Sequence, residues 1–171
     1  MNQDKQQIKI INAAQTLFYD VGYTKTSCSQ IAAACSSSQG GLFYHFPTKD
    51  SIGIAVYNKY MRQLKNTVAR KLYDRFGEYD LQIGTALETM YEIKMLLTDE
   101  NARRFYSELF KSNMANLYVS PLLNFYELHN KKYHLGLDNG DDQLKMIAIE
   151  SHVASVALNL AYLDGVLKSS E

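Results

Sequence analysis

The residues whose types and spacing are most informative lie in one stretch, residues 22–50, which reads GYTKTSCSQIAAACSSSQGGLFYHFPTKD. Gln39 follows three serines there, and a glutamine amide can both donate to and accept from an adenine edge in the major groove of DNA. Aromatic and basic side chains follow at Phe43, Tyr44, His45 and Lys49. The glutamine makes this stretch a candidate for contact with DNA bases.

Two short helices are predicted to position these side chains. Ser27 is suited to cap a helix that runs to about Cys35, and the serines at 36–38 favour a turn after it. A second helix is predicted from Gln39 to about Phe46, before Pro47. Two short helices joined by a tight turn form a helix-turn-helix motif, here residues 27–46, whose second helix enters the major groove.

The same stretch resembles the DNA-binding domain of TetR-family regulators. The resemblance rests on residue types in matching order: Gly22-Tyr23, Thr26-Ser27, Ile31-Ala32, Gly40, Leu42-Phe43-Tyr44-His45-Phe46 and Pro47-Thr48-Lys49-Asp50. It covers roughly residues 5–60, and the rest of the chain resembles the family only in being helical. The resemblance implies an all-α protein with an N-terminal three-helix helix-turn-helix domain and a C-terminal helical domain for ligand binding and dimerisation.

Ten residues are candidates for DNA contact. The resemblance assigns Tyr44 and His45 to phosphate or groove contacts and Lys49 to a phosphate, although the two rings also suit packing at a helix end. Gly40 and Gly41 each cost a helix about 1 kcal/mol relative to alanine, which points to close approach of either DNA or a facing helix. The family often carries Thr or Ser at Gly41 and Tyr at Phe43, so a base contact and a hydroxyl are missing here. The remaining candidates supply hydroxyls or the leading amide: Thr26, Ser27, Ser38 and Gln39.

The charge distribution favours the same half of the chain. The net charge over 171 residues is zero, but residues 1–75 hold 10 Lys and Arg against 4 Asp and Glu, and residues 76–171 hold 8 against 14. Some asymmetry occurs in any chain, yet here the positive half contains the motif, as phosphate binding requires. We place the DNA-binding domain at residues 4–64 and a regulatory and dimerisation domain at residues 65–171.

Other classes of protein find little support in the sequence. No apolar run approaches the roughly 20 residues that span a bilayer, and the N-terminus lacks a signal-peptide pattern, so a cytoplasmic protein is expected. Cys28 and Cys35 lie on one predicted helix without a second ligand pair, so no metal is expected. HExxH, GxSxG and Gly-rich phosphate loops are absent. We therefore expect no enzyme activity and no cofactor.

The second half predicts four further helices. They are expected at about 81–97, after Asp99, after a loop at about 118–121, and at about 141–168 following a turn over 136–142. Aromatic and methionine side chains with few polar groups suit a drug-sized apolar or cationic aromatic ligand. The candidate lining residues, which equally suit a filled core, are Tyr91, Met95, Tyr106, Phe125, Tyr126, His129, His152 and Tyr162.

The last predicted helix is apolar around most of its circumference. One stripe contains Val153, Val156 and Leu160, and a neighbouring stripe contains Ala154 and Leu158. Such a helix must be buried on several sides, either inside a monomer or against a second subunit. The resemblance favours a homodimer through the last two helices, which would bind a palindromic operator as a ligand-responsive repressor.

Two alternatives to this reading stay open at the level of sequence. The first is a helical small-molecule-binding or sensing module whose DNA binding has decayed. The second, an enzyme built on helices, is remote. The sequence identifies neither the effector nor the operator.

Overall fold

In the computed structural model, which describes residues 2–113, 120–136 and 142–166, every regular element in those ranges is an α-helix. The all-α prediction is confirmed. The helices, in chain order, are α1 (Asn2–Asp20), α2 (Cys28–Ala34), α3 (Gln39–His45), α4 (Lys49–Phe76), α5 (Leu81–Thr98), α6 (Glu100–Asn113), α7 (Ser120–Tyr133) and α8 (Asp142–Leu163).

The first three helices and the start of α4 enclose a small apolar core. Ile10, Ala14 and Phe18 recur every four residues along α1 and are buried on its inner face. Ile31 from α2 and Leu42 from α3 are also fully buried. Burial of one side chain from each short helix fixes both against α1, because helices of seven residues are too short to be stable alone.

The long helix α4 begins and ends with specific capping residues. Thr48 caps its N-terminus, where its Oγ1 accepts from the backbone N–H of Ser51 at 3.0 Å. In return, the Ser51 Oγ accepts from the backbone N–H of Thr48. Gly77 ends it with a left-handed φ of 76°. The helix runs unbroken through residue 64, where the sequence analysis placed the domain boundary.

Contacts divide the chain into two units, Met1–Lys111 and Ser112–Glu171. In the first unit, α5 starts at a cap, where the Asp80 carboxylate accepts from the backbone N–H groups of Gln82 and Ile83, both at 2.9 Å. Asp99 caps α6 in the same manner, accepting from Ala102 N at 3.0 Å. In the second unit, α7 packs on α8.

Two predicted boundaries in the second unit are wrong. The last helix ends at Leu163 instead of 168, because Gly165 adopts a left-handed φ of 73°. Backbone bonds from Gly165 N to Tyr162 O (3.1 Å) and from Val166 N to Ala161 O (2.8 Å) close the helix in a Schellman motif. The predicted loop at 118–121 ends sooner, since α7 already includes Pro121, which is tolerated in a first turn. Most of the predicted 136–142 turn lies outside the described residues.

Candidate nucleic-acid interface and effector cavity

Helix α3 exposes the side chains that were predicted to meet DNA. Its N-cap is Ser38, whose Oγ accepts from Gly41 N at 3.0 Å, and Leu42 anchors it with no exposed surface. Phe43 is 43% exposed and Tyr44 is 71% exposed, although both are aromatic. Two neighbouring exposed rings make this helix a candidate contact surface.

The turn between α2 and α3 is tight and contains a residue under backbone strain. Ser36 adopts a φ of 53°, which is uncommon for residues other than glycine, asparagine and aspartate. Bonds from Ser36 N to Ala33 O (3.1 Å) and from Ser37 N to Ala32 O (2.8 Å) close the end of α2. The Gln39 amide donates to the Ser29 hydroxyl across the turn, so α2 also orients the first side chain of α3.

The two glycines of α3 differ in their surroundings. A β-carbon at Gly40 would meet only the Ser38 Oγ, at 3.9 Å, whereas one at Gly41 would lie 2.8 Å from the Ser37 Oγ. Packing against a facing helix therefore does not explain Gly40, which borders open space. The other explanation given in the sequence analysis, close approach of DNA, stays a prediction for Gly40.

The hydroxyls at the start of α2 serve the fold. Thr26 is 1% exposed and its Oγ1 donates to the Gly22 carbonyl at 2.6 Å, so a phosphate could not reach the Thr26 hydroxyl as was predicted. Ser27 is exposed but forms a capping box with Gln30, accepting from Gln30 N at 3.2 Å while its own N–H donates to Gln30 Oε1 at 2.7 Å. This reciprocal pairing fixes where α2 begins.

The start of α4 is bound to the loop that precedes α2. The Lys49 ammonium lies 4.4 Å from the centre of the Tyr23 ring and 3.5 Å from the Thr24 carbonyl oxygen. The Tyr23 hydroxyl donates to the Asp50 carboxylate. Lys49 is therefore partly engaged within the protein, while His45, at the end of α3, packs edge-on against the Tyr44 ring at 5.2 Å.

Two side chains of helix α6 bind the backbone at the end of α1 and in the loop that follows it. The Arg104 guanidinium donates to the carbonyls of Tyr19 (2.7 Å) and Asp20 (3.1 Å) at the end of α1. The Glu108 carboxylate accepts from Thr24 N at 2.7 Å. A cation at the carbonyl end of a helix is electrostatically favourable, so these bonds join α6 to the helix-turn-helix domain.

A cavity of about 210 Å³ lies among α1, α4, α5 and α6. It is lined by Gln15, Phe18, Tyr19, Val56, Tyr57, Tyr60, Met95, Asp99, Ala102, Phe105 and Tyr106. Of the predicted ligand-binding residues, Met95 and Tyr106 lie here. Tyr91 does not, because its hydroxyl and ring face the Lys71 ammonium, at 3.5 Å from the hydroxyl. The cavity is smaller than the 300 Å³ or more that is usual for drug-sized ligands, contrary to the expected size.

The other predicted ligand residues belong to the second unit. Tyr126, His129, His152 and Tyr162 lie on α7 and α8, where the rings of His129 and Tyr133 are 5.7 Å apart. Burial lowers the pKa of His152, which favours a neutral imidazole. The side chain of Phe125 lies outside the described residues.

Sequence reasoning missed most of the cavity wall. Most of the lining residues lie on α1, α4 and α6, and helical periodicity indicates that a side chain is buried without identifying the helix it packs against. The only local signal was the adjacency of aromatic residues, in Phe18-Tyr19 and Phe105-Tyr106. In the structure the Phe18 and Phe105 rings stack at 5.6 Å, which brings α1 and α6 together at the cavity.

Two carboxylates define the electrostatics of the cavity. Asp99 accepts from the Tyr19 hydroxyl at 3.0 Å, and this hydrogen bond and the adjacent negative charge raise the pKa of Tyr19. Glu92 lies behind the wall and accepts from the Tyr57 hydroxyl at 2.8 Å. Burial raises the pKa of Glu92, and burial together with the Glu92 charge raises the pKa of Tyr60. The surroundings are therefore acidic and rich in tyrosine.

Comparison with known proteins places the helix-turn-helix in a family. Residues 10–56 match the model of the bacterial regulatory proteins of the tetR family. The chain is also 27% identical over 158 residues to the HTH-type transcriptional regulator QacR of Staphylococcus aureus, covering 88% of this chain and 81% of that protein. The helix-turn-helix region of this chain is therefore similar to that of TetR-family regulators. Members of the TetR family are transcriptional regulators that bind DNA and often ligands.

Further similarities agree with this assignment. Over 58 residues, 34% of the chain and 20% of the relative, it is 34% identical to the uncharacterized HTH-type transcriptional regulator YuxN of Bacillus subtilis. A TetR-family regulator from Pectobacterium atrosepticum superposes with a TM-score of 0.55 at 17% identity, covering 97% of this chain and 94% of that one. Thermus thermophilus FadR, a TetR-family repressor solved with lauroyl-CoA, gives 0.56 at 17% identity and 96% of both chains. These two structures show a shared fold.

Within the described ranges, no helix is long and apolar enough to cross a membrane. The same ranges contain no cluster of three or more His, Cys, Asp or Glu side chains that could hold a metal ion.

Proposed function

We propose that this protein is a ligand-responsive repressor of the TetR type that binds a palindromic operator as a homodimer, with α3 in the major groove. The observation that carries the proposal is the exposed face of α3. Gln39, Gly40, Phe43 and Tyr44 span about 140° of the helix circumference, and the buried Leu42 points away from that arc. A polar amide, an open glycine and two exposed rings form a surface that reads bases and contacts sugars.

Gly40 supports close approach of the DNA. Because a β-carbon there would meet open space, the helix gives up about 1 kcal/mol of propensity without gaining a contact inside the protein. A backbone that must lie against a base pair or a sugar explains this choice. Gln39 then lies at the deepest position of the helix, where it contacts one base pair in each half-site.

The surrounding charges support attraction to phosphate. The first 75 residues carry a net charge of +6, and the 96 that follow carry −6. In this proposal Lys49 leaves its contact with the Tyr23 ring, or shares it, to reach a phosphate beside α3. Tyr44 and His45 contribute a hydroxyl and a ring nitrogen to the same strand, and Ser27 and Ser38 lie at the edges of the contact.

The surface of α8 supports a homodimer. Val156 and Leu160 are buried in the protomer, while Leu158 is 59% exposed and Ile147 is 37% exposed on the remaining surface. Ala154 is exposed between them and permits close approach of a second helix. On α7, Leu128 is 56% exposed. A partner that packs on these side chains would remove an apolar surface from water, and two-fold symmetry would match a palindrome.

The contacts of α6 support coupling between ligand and operator. Arg104 and Glu108 bind the backbone on both sides of Gly22, so a shift of α6 moves the end of α1 and the loop before α2. In a dimer such a shift changes the separation of the two α3 helices. Half-sites lie one helical turn apart, about 34–36 Å, so a small change in separation prevents simultaneous binding.

A second function fits the effector cavity but not the α3 surface: a small-molecule sensor that no longer binds DNA. The strained backbone at Ser36 and the open space beside Gly40 favour DNA binding. A surface that no longer bound DNA would not require either feature. In the proposed function the protein acts in the cytoplasm, where the chromosome is accessible.

The experiment that tests the proposal is selection of duplexes from a random library by the purified full-length protein. We expect enrichment of a palindrome. Gln39→Ala should relax the preference at one base pair in each half-site, with a loss of about 1–3 kcal/mol of discrimination there. Gln63→Ala, on the exposed surface of α4, is the matched control and should select the wild-type sequence. Enrichment of no sequence, or identical selections by both variants, would refute the proposal.

A further inference from the structure

The first side chain of α3 is held by the helix that precedes it. The Gln39 Nε2 donates to the Ser29 Oγ at 2.5 Å, a hydrogen bond between residues ten apart in the chain. Both residues are exposed, so this bond lies on the surface of the helix-turn-helix and adds nothing to its core. A bond in that place can still decide how the amide is presented to a base.

The backbone at each end of this hydrogen bond is fixed by other contacts. The capping box at the start of α2 sets its first turn, and Ile31 anchors that helix with no exposed surface. Two backbone bonds close the turn after α2, and the Ser38 cap starts α3 directly before Gln39. Loss of the Ser29 hydroxyl should therefore release the amide without moving either helix.

The bond leaves the amide with one free donor and one free acceptor for a base. A glutamine amide carries two N–H donors and a carbonyl oxygen, and Ser29 engages one of the donors. Adenine presents the N7 acceptor beside the N6 amino donor and matches what remains. Guanine presents two adjacent acceptors, N7 and O6, so it would require the N–H that Ser29 holds.

We propose that Ser29 is a positioning residue that fixes the Gln39 amide and makes α3 select adenine over guanine at one base pair of each half-site. This inference rests on the proposed function, because it assigns the base that Gln39 contacts in the operator. Ser29 acts through Gln39 and contacts no base itself. A glutamine that is already held also loses less freedom on binding than a mobile one, an effect of about two- to tenfold in affinity.

The test uses two palindromic duplexes that differ only at the base pair identified by the Gln39→Ala selection, which is A·T in one and G·C in the other. By fluorescence anisotropy, the full-length wild-type protein should bind the A·T duplex at least about tenfold more tightly. Ser29→Ala should reduce that ratio at least about threefold, because the amide is free to turn. Ser29→Thr keeps the hydroxyl and should retain the ratio within about twofold.

Two controls separate base selection from general weakening. In the Gln39→Ala background, Ser29→Ala should not change the ratio further, because the partner of the hydroxyl is gone. Thr89→Ala removes an exposed hydroxyl of α5 that donates to the Thr85 carbonyl at 3.0 Å, and it should bind both duplexes as the wild type does. A melting curve for each variant confirms that it is folded.

The orientation of the amide can also be measured without DNA. In ¹⁵N relaxation of the free protein, the Gln39 side-chain amide should be more mobile in Ser29→Ala than in the wild type and in Ser29→Thr. The backbone amides of α3 should keep their order parameters in all three proteins. If Ser29 only stabilised the fold, its loss would change those backbone amides instead.

The inference is overturned if the wild type does not prefer the A·T duplex, if Ser29→Ala keeps the wild-type ratio, or if the Gln39 amide is equally mobile with and without the hydroxyl. Failure of the proposed function is a different result. A wild-type protein that selects no palindrome contradicts that function and this role together, whereas a selected palindrome with an unchanged ratio contradicts the role of Ser29 alone.

Discussion

Gly53 lies where α4 passes α6, and adding one methyl group there tests whether the two helices are in tight contact. A β-carbon at Gly53 would lie 2.5 Å from Leu109 Cδ1 and 2.9 Å from Tyr23 Cε2. Leu109 is fully buried and Tyr23 is 3% exposed, so neither has room to withdraw. The Tyr23 ring is also held by Phe18, with centres 5.1 Å apart.

The expected loss follows from two opposing effects. Overpacking a buried site costs about 1–3 kcal/mol, and these two overlaps place Gly53→Ala in the upper part of that range. Replacing a helical glycine by alanine recovers up to about 1 kcal/mol. The free energy of unfolding should therefore fall by about 1–2 kcal/mol. With a urea dependence of about 2 kcal/mol/M, the unfolding midpoint should fall by roughly 0.5–1 M.

Urea unfolding followed by circular dichroism measures this change, and Leu109→Ala identifies the contact responsible. In the Leu109→Ala background the effect of Gly53→Ala should shrink by at least half, because residues in contact are not additive. A midpoint that is unchanged or raised by Gly53→Ala, or an equal loss in both backgrounds, would refute the close contact between α4 and α6.

Three further predictions concern other parts of the chain. Ser36→Gly should raise the free energy of unfolding in urea by about 0.5–1 kcal/mol, because glycine adopts the left-handed φ of this position without strain. Ser37→Gly, at the neighbouring position, is the control and should not stabilise the protein. Equal effects of the two substitutions would contradict the strain at Ser36. Burial raises the pKa of Glu92 above its usual 4.5, so the wild type loses stability as pH rises through the folded-state pKa. Glu92→Gln should flatten that profile and unfold at higher urea at pH 7, and a steeper profile would reverse this reasoning. Ala154→Arg should give monomers by sedimentation, since it places a charge on the proposed dimer surface, and an unchanged dimer mass would reject that surface.

The helices of the first unit were predictable because their signals are local. Ser27, Thr48 and Asp99 each carry a capping side chain one residue before a helix, and the cap is a property of a few neighbouring residues. The end of α8 was mispredicted for the converse reason. The apolar pattern predicted a helix to about residue 168, but the left-handed backbone of Gly165 closes it earlier.

The candidate site was predictable only where it depends on one helix. The exposed face of α3 follows from its cap and its one buried leucine, and the structure retains Gln39 and Tyr44 on the surface. The role of Thr26 could not be read from the sequence, because its partner is the carbonyl of Gly22 in a loop whose shape is tertiary. The cavity was also hidden, since Phe18 and Phe105 lie far apart in the chain and meet only when α6 packs on α1.

Binding of the selected palindrome as a function of salt tests the central claim most directly. Fluorescence anisotropy should show that the wild-type protein binds it at least about a thousandfold more tightly than a scrambled duplex, and that its affinity falls steeply as salt rises from about 50 to 200 mM. A plot of the logarithm of the association constant against the logarithm of the salt concentration should have a slope of about −4 or steeper, which corresponds to a few phosphate contacts on each half-site. Equal affinity for both duplexes, or binding that is insensitive to salt, would contradict the assignment of α3 as a DNA-reading helix.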